Sequence, residues 1–224
     1  MSIKVKICGN TNLDDARVAV EAGADMLGFI YYEHSKRHIV PEKTAEITAA
    51  LRAEFGEAAP VMVGIFVDEP MEKVRRMREQ AGVDLVQLHG SEPPVEMRLL
   101  RSFAFKVLRP QNRGDAEAFV ATYGGILPTH PDAPDFLIDA YHPWKVGGTG
   151  HKTDWHSAKT LAMRFKVMLA GGLGVENVAE AIHIVRPWGV DVVSGVESVK
   201  GLKDHQRVRD FIREVRRVEM MGNE

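Results

Sequence analysis

Residues 167–195 read VMLAGGLGVENVAEAIHIVRPWGVDVVSG, and they hold one complete repeat of the fold. Val167–Ala170 is an unbroken apolar run that stops at Gly171-Gly172. Val175–Val185 then places Val178, Ile182 and Val185 on one face at helical spacing. Val190–Ser194 returns to a β-branched run and stops at Ser194-Gly195. Runs that are apolar throughout, rather than alternating, mark strands covered on both faces, as in a parallel sheet under helices.

Outward from this stretch the alternation repeats. Strands are expected at Lys4–Cys8, Met26–Ile30, Val61–Phe66, Leu85–Leu88, Phe105–Leu108 and Phe136–Asp139, ahead of the two above. Helical patterns separate them. Asn12–Ala22 has Asn12 as N-cap and Gly23 as stop. Asp204–Glu219 carries Val208, Phe211, Ile212 and Val215 on one side. Eight strands and eight helices in strict alternation predict an α/β fold, a single (β/α)8 TIM barrel spanning residues 1–224 with a parallel eight-stranded core. A doubly wound open sheet is the competitor, but no GxGxxG follows the first strand. Gly124–Pro134 reads as a long surface loop before the sixth strand.

Bulk composition excludes several classes. With 224 residues, 45% hydrophobic and 27% charged, the chain can fill one large core. Its 29 Lys plus Arg against 31 Asp plus Glu leave a net charge of -2, which argues against a nucleic-acid or anionic-membrane surface. No apolar run approaches the roughly 20 residues of a membrane helix. Cys8 is the single cysteine, so no intramolecular disulfide forms. No signal peptide is evident at Met1–Lys6, and the expected compartment is the cytoplasm.

Barrel enzymes carry their chemistry at the C-terminal strand ends. Cys8 ends the first strand; a thiolate is a competent base or nucleophile, although a lone buried Cys is often inert packing. Asp139 ends the sixth strand after three apolar residues, where partial desolvation favours the neutral acid form. Tyr31–His38 is a basic loop in which Arg37 suits a two-point carboxylate clamp. His34 and His38 lie four apart but have no accompanying ligand cluster, so no metal is expected. Gln87 and His89 share a strand face near the barrel top and are expected to line the substrate site. Gly147-Gly148-Thr149-Gly150, Gly171-Gly172 and Ser194-Gly195 follow the sixth, seventh and eighth strands, where barrels bind phosphate on backbone N–H groups.

Taken together, KICGNT at 6–11, SKRHI at 35–39, VGIFVDEP at 63–70, VQLHGSEP at 86–93, LIDA at 137–140, GGTGHKTDW at 147–155, LAGGLGVENV at 169–178 and VDVVSGVES at 190–198 resemble the phosphoribosylanthranilate isomerases of tryptophan biosynthesis. The motifs span nearly the whole chain in the family's order. The resemblance implies an aldose–ketose isomerase with Cys8 as general base, Asp139 as general acid, Arg37 on the anthranilate carboxylate and the glycine turns on the phosphate. It implies no cofactor, a phosphorylated small-molecule substrate, and a monomer or homodimer. Three departures stand out. Asn10 replaces the usual Ile or Leu beside the base and is expected to alter substrate fit. Val193 replaces a Ser and removes a hydroxyl expected near the phosphate. The Gly124–Pro134 loop is longer than the family's.

The alternative is another phosphosugar-binding TIM barrel, catalytic or non-catalytic. Indoleglycerol-phosphate synthase would need an N-terminal extension and a catalytic Lys near the end of the first strand. A ribulose-phosphate epimerase would need metal ligands on several strands. A flavin barrel has no role for Cys8 with Asp139.

Overall fold

In a computed structural model, which describes residues 2–110, 112–139 and 155–221, eight parallel strands close into a barrel in sequence order. They are β1 (Lys4–Ile7), β2 (Met26–Ile30), β3 (Val61–Phe66), β4 (Leu85–Leu88), β5 (Ala104–Leu108), β6 (Phe136–Asp139), β7 (Val167–Ala170) and β8 (Gly189–Val192). The seam is shut by β1 against β8, with Lys6 opposite Asp191. Helices α1 (Leu13–Glu21), α2 (Pro41–Phe55), α3 (Met71–Ala81), α4 (Pro94–Leu100), α5 (Arg113–Tyr123), α6 (Trp155–Ala162), α7 (Val178–Val185) and α8 (His205–Met221) surround it. Among the described residues no helix is long and apolar enough to cross a membrane.

Period-two alternation sorts each strand into two cores. Met26, Val63, Leu85, Phe105, Val107, Leu137 and Met168 fill the interior of the barrel. Their neighbours, among them Ile7, Leu27, Phe29, Val86, Leu169 and Val190, face the helices and meet Ile47, Ala181, Phe211 and Val215. This double burial is why the strands read as continuous apolar runs.

Boundaries moved by a few residues. The Asn12 side chain accepts from the Asp15 N–H at 2.8 Å, as its N-cap role requires, and Gly23 has a φ of 95° just past the α1 C-cap Ala22. The α7 helix begins only at Val178, because Gly174 and Asn177 form a turn first, with Asn177 Oδ1 accepting from Gly174 N–H at 2.9 Å. One expectation needs correction, and one element lies outside the expected alternation. The 124–134 connection is not simply a surface loop: Ile126 and Ala133 are buried, and Ala133 joins the inner core at the base of the barrel. After β8 the chain does not run straight to the last helix. Glu197–Val199 (β9) and Leu202–Lys203 (β10) pair antiparallel, and this hairpin bears on the site.

Candidate active site

The inward residues at the strand tops define the mouth of the barrel. Cys8 follows β1 and is 3% exposed; its N–H donates to Val192 O at 2.9 Å, extending the β1–β8 ladder one step. Arg37 reaches this corner from the loop after β2. Its Cδ lies only 2.9 Å from where a Cβ on Gly9 would stand, so Gly9, with a φ of 75°, is what lets the arginine cross directly over the end of β1. The resemblance assigns these two residues to base and clamp, and the fold brings them together.

Arg37 has a protein partner that local sequence reasoning missed. Its Nε and Nη2 donate to Glu197 Oε1 and Oε2, both at 2.6 Å. Glu197 also accepts from Gly201 N–H at 3.2 Å and lies 3.7 Å from Lys203 Nζ. Burial works against the Glu197 charge, but Arg37 and Lys203 outweigh it and hold the carboxyl below its ordinary range. The same fork raises Arg37 further above its usual value. Lys203, buried on β10, donates to the carbonyls of Cys8 at 2.6 Å and Val193 at 3.3 Å, which clamps the tops of β1 and β8; its burial lowers its pKa. A signal was present in VESVKGLK at 196–203, where Lys200-Gly201 marks a hairpin turn.

Across the mouth, Asp139 stands at the inward end of β6, one quarter exposed and in register with Ala170. His89 Nε2 lies 3.7 Å from Asp139 Oδ2, and Arg109 Nε lies 4.0 Å from the same oxygen. Gln87 Nε2 sits 2.8 Å from His89 Nδ1, so the two residues read as sharing a face are bonded to each other. With the amide donating to Nδ1, the His89 proton resides on Nε2, facing Asp139. Arg109, not singled out from sequence, also donates to His89 O at 2.7 Å.

The glycine turns are placed in part. Gly147 and Gly148 lie outside the described residues. Gly171 and Gly172 have φ values of 93° and 65° at the end of β7, and Gly195 lies beside Gly174 in a parallel bridge, so two of the three turns touch. A Cβ on Gly195 would stand 2.0 Å from Leu173 O, which is why only glycine fits there. Ser194 is exposed beside it, with its carbonyl accepting from Glu197 N–H at 3.2 Å.

Two of the departures are placed by the structure, and the first differs from expectation. Asn10 does not face the mouth. It is fully buried, and its Nδ2 donates to Ile7 O at 2.8 Å and Gly28 O at 3.2 Å, so it braces the turn after β1 instead of shaping the substrate. Val193 points toward the Cys8 corner: its Cγ1 lies 3.4 Å from the position of a Cβ on Gly9.

Below Cys8, Lys6 and Asp191 meet inside the barrel at 2.8 Å, with side-chain exposures of 0% and 6%. Neither was singled out from the sequence, where each lies within an expected strand. No group of three or more potential metal ligands occurs among the described residues.

Known proteins match the chain over nearly its full length. The model of the family described as N-(5'phosphoribosyl)anthranilate (PRA) isomerase matches residues 5–214. An N-(5'-phosphoribosyl)anthranilate isomerase from Geobacter sp. (strain M21) is 43% identical over 215 residues, covering 96% of this chain and 98% of that protein. The crystal structure of phosphoribosyl anthranilate isomerase from Thermotoga maritima superposes with a TM-score of 0.82 at 37% identity, covering 96% and 98% of the two chains. A further crystal structure of such an isomerase, solved in complex with reduced 1-(o-carboxyphenylamino)-1-deoxyribulose 5-phosphate, has a TM-score of 0.80 at 36% identity with the same coverage. On this likeness, the chain belongs to the N-(5'-phosphoribosyl)anthranilate isomerase family.

Proposed function

We propose that this chain catalyses the Amadori rearrangement of N-(5-phosphoribosyl)anthranilate to 1-(2-carboxyphenylamino)-1-deoxyribulose 5-phosphate, the third step of tryptophan synthesis from chorismate, with Cys8 as general base and Asp139 as general acid. The observation that carries the reading is the placement of a buried thiol under a guanidinium at the end of β1, with a carboxyl at the end of β6 across the same mouth.

The chemistry follows from that placement. Asp139 gives its proton to the ribose ring oxygen as the C1–O bond breaks, and the nitrogen lone pair forms a protonated Schiff base at C1. The iminium acidifies the hydrogen on C2. Cys8 thiolate removes it, and the electron pair moves into C1–C2 to give an enolamine. Protonation at C1 and loss of the C2 hydroxyl proton leave the ketone. Atoms and electrons balance within the substrate, whose own nitrogen is the electron sink, so the sequence of steps calls for no metal or cofactor. Arg37 takes the anthranilate carboxylate and the Gly171-Gly172 and Ser194-Gly195 turns take the phosphate, together with Gly147-Gly148 after β6. Holding both ends of the substrate fixes C2 against the base, so binding energy far from the reacting atoms supplies orientation. Gln87 and His89 support the Asp139 side of the pocket.

A fluorescence assay that follows loss of phosphoribosylanthranilate in the presence of the purified chain tests the reading. Catalysed disappearance with formation of the ketose product is expected; decay at the uncatalysed rate would refute it.

A further inference from the structure

The proposed base poses an electrostatic problem. Burial pushes the Cys8 thiol up, away from the thiolate the reaction needs. The groups around the sulfur are Lys6 on its own strand, Asp191 on β8, Lys203 on β10 and Arg37 with its partner Glu197; His89, Asp139 and Arg109 face it across the mouth. Of the cations, Arg37 is neutralised by its fork with Glu197 and stands ready for the substrate carboxylate. Lys203 spends its protons on the carbonyls of Cys8 and Val193. Lys6 differs. It lies two residues before Cys8 on the same inward face, it is wholly buried, and its ammonium, held at 2.8 Å by Asp191, is the positive charge that most opposes the effect of burial on the thiol.

The pair is costly as mere filling. Taking two charges into a dry interior is repaid only in part by their attraction, and apolar side chains of similar volume often serve stability as well or better. Met26, Val63, Leu85, Phe105, Leu137 and Met168 fill the rest of the interior in that way. Among the described residues, the ion pair in that interior is Lys6–Asp191, directly beneath the thiol, and Asp191 serves to keep Lys6 charged despite burial.

We infer that Lys6, clamped by Asp191 inside the barrel, sets the charge state of Cys8: it is a positioning residue that acts on the substrate only through the thiol. The inference rests on the reading of Cys8 as base. In the resting site the fixed ammonium offsets part of the desolvation of the thiolate. In the bound complex the substrate's iminium adds a second positive charge from above.

The test uses the intact chain and exploits its single cysteine: the thiolate absorbance of Cys8 is read as the difference from the same titration of Cys8→Ala, which carries the tyrosinate signal of the four tyrosines. Absorbance titrations and pH–rate profiles are recorded for the native protein, Lys6→Met, and the double variant Lys6→Met/Asp191→Asn, which leaves no unpaired buried charge if the single variant fails to fold. The thiol of Lys6→Met is expected to ionise at higher pH than in the native protein, and that of the double variant to rise by less, because the opposing charge of Asp191 leaves with the ammonium. kcat/KM near neutrality is expected to fall by about tenfold or more and to recover as the pH rises. Lost packing alone would lower the rate equally at every pH. A folded double variant whose absorbance titration matches the native protein would overturn the inference. A titration that moves while the pH–rate profile does not would instead count against Cys8 as the base and leave the hold of Lys6 on the thiol intact.

Discussion

Arg37 and Glu197 meet as two parallel forks across 160 residues of sequence, with both N–O distances at 2.6 Å. The fork occupies Nε and one edge of Nη2 and leaves Nη1 and the other Nη2 proton for a ligand, so Glu197 fixes the plane in which a substrate carboxylate is received. Arg37→Ala is expected to raise KM on the order of 10- to 100-fold, the value of a charge-assisted hydrogen bond of about 1.5–3 kcal/mol, with little change in kcat. Glu197→Gln keeps the guanidinium but loosens its aim, and is expected to raise KM by less. Steady-state kinetics of the two variants check this; an unchanged KM for Arg37→Ala would remove the clamp.

The same fork predicts a pH dependence of stability. The Glu197 carboxyl is held below its ordinary range in the fold, so it binds fewer protons folded than unfolded. Its contribution is therefore fully present above the unfolded carboxyl value of about 4.3 and is lost as pH falls through the lower, folded value. Thermal unfolding of native protein and Glu197→Gln should differ most near neutral pH, by about 2–4 °C for each kcal/mol lost, and converge in acid. A gap that widened on acidification would contradict the assignment.

For the proposed acid and base, Cys8→Ala and Asp139→Asn are each expected to lose about 10²–10⁴-fold in kcat with little change in KM, because neither group is needed to hold the substrate. The double variant should lose less than the product of the single losses if the two act in one arrangement. Near-normal kcat in Cys8→Ala would make His89 the next candidate base.

The touching turns at Gly174 and Gly195 predict where phosphate binds. Inorganic phosphate or sulfate should compete with substrate, and Gly195→Ala should weaken that competition markedly, because its Cβ would have to displace the Leu173 carbonyl 2.0 Å away. Inhibition constants for phosphate in the two proteins test the placement; equal values would move the phosphate elsewhere.

Chelation provides a further check. Each proton in the proposed mechanism moves between substrate and side chain, so activity should survive extensive treatment with EDTA. Loss of activity restored by zinc or manganese would refute the acid–base pair as a sufficient mechanism.

Much of the barrel was legible because its causes are local. A strand buried on both faces is apolar residue after residue, as in Val167–Ala170, and a helix against the sheet repeats its stripe, as in Val208, Phe211, Ile212 and Val215 of α8. The motifs at the strand ends were legible for the same reason, since a residue that ends an apolar run lies at the mouth. Less legible were elements whose residues earn their place through distant partners. Ala133 reads as part of a polar Gly/Pro loop, yet it closes the base of the inner core. Asn10 reads as a neighbour of the base, yet its amide turns to the carbonyls of Ile7 and Gly28.

The sequence by itself determined the eight-fold alternation, the inward positions of Cys8 and Asp139, and the family to which those motifs point. Only the tertiary structure decided that Glu197 holds Arg37, that Lys203 clamps the tops of β1 and β8, and that Lys6 stands on Asp191 beneath the thiol. The physical reason is range. Periodicity and apolar runs are properties of neighbouring residues, whereas Lys6 and Asp191, 185 residues apart, become partners only when the last strand closes against the first.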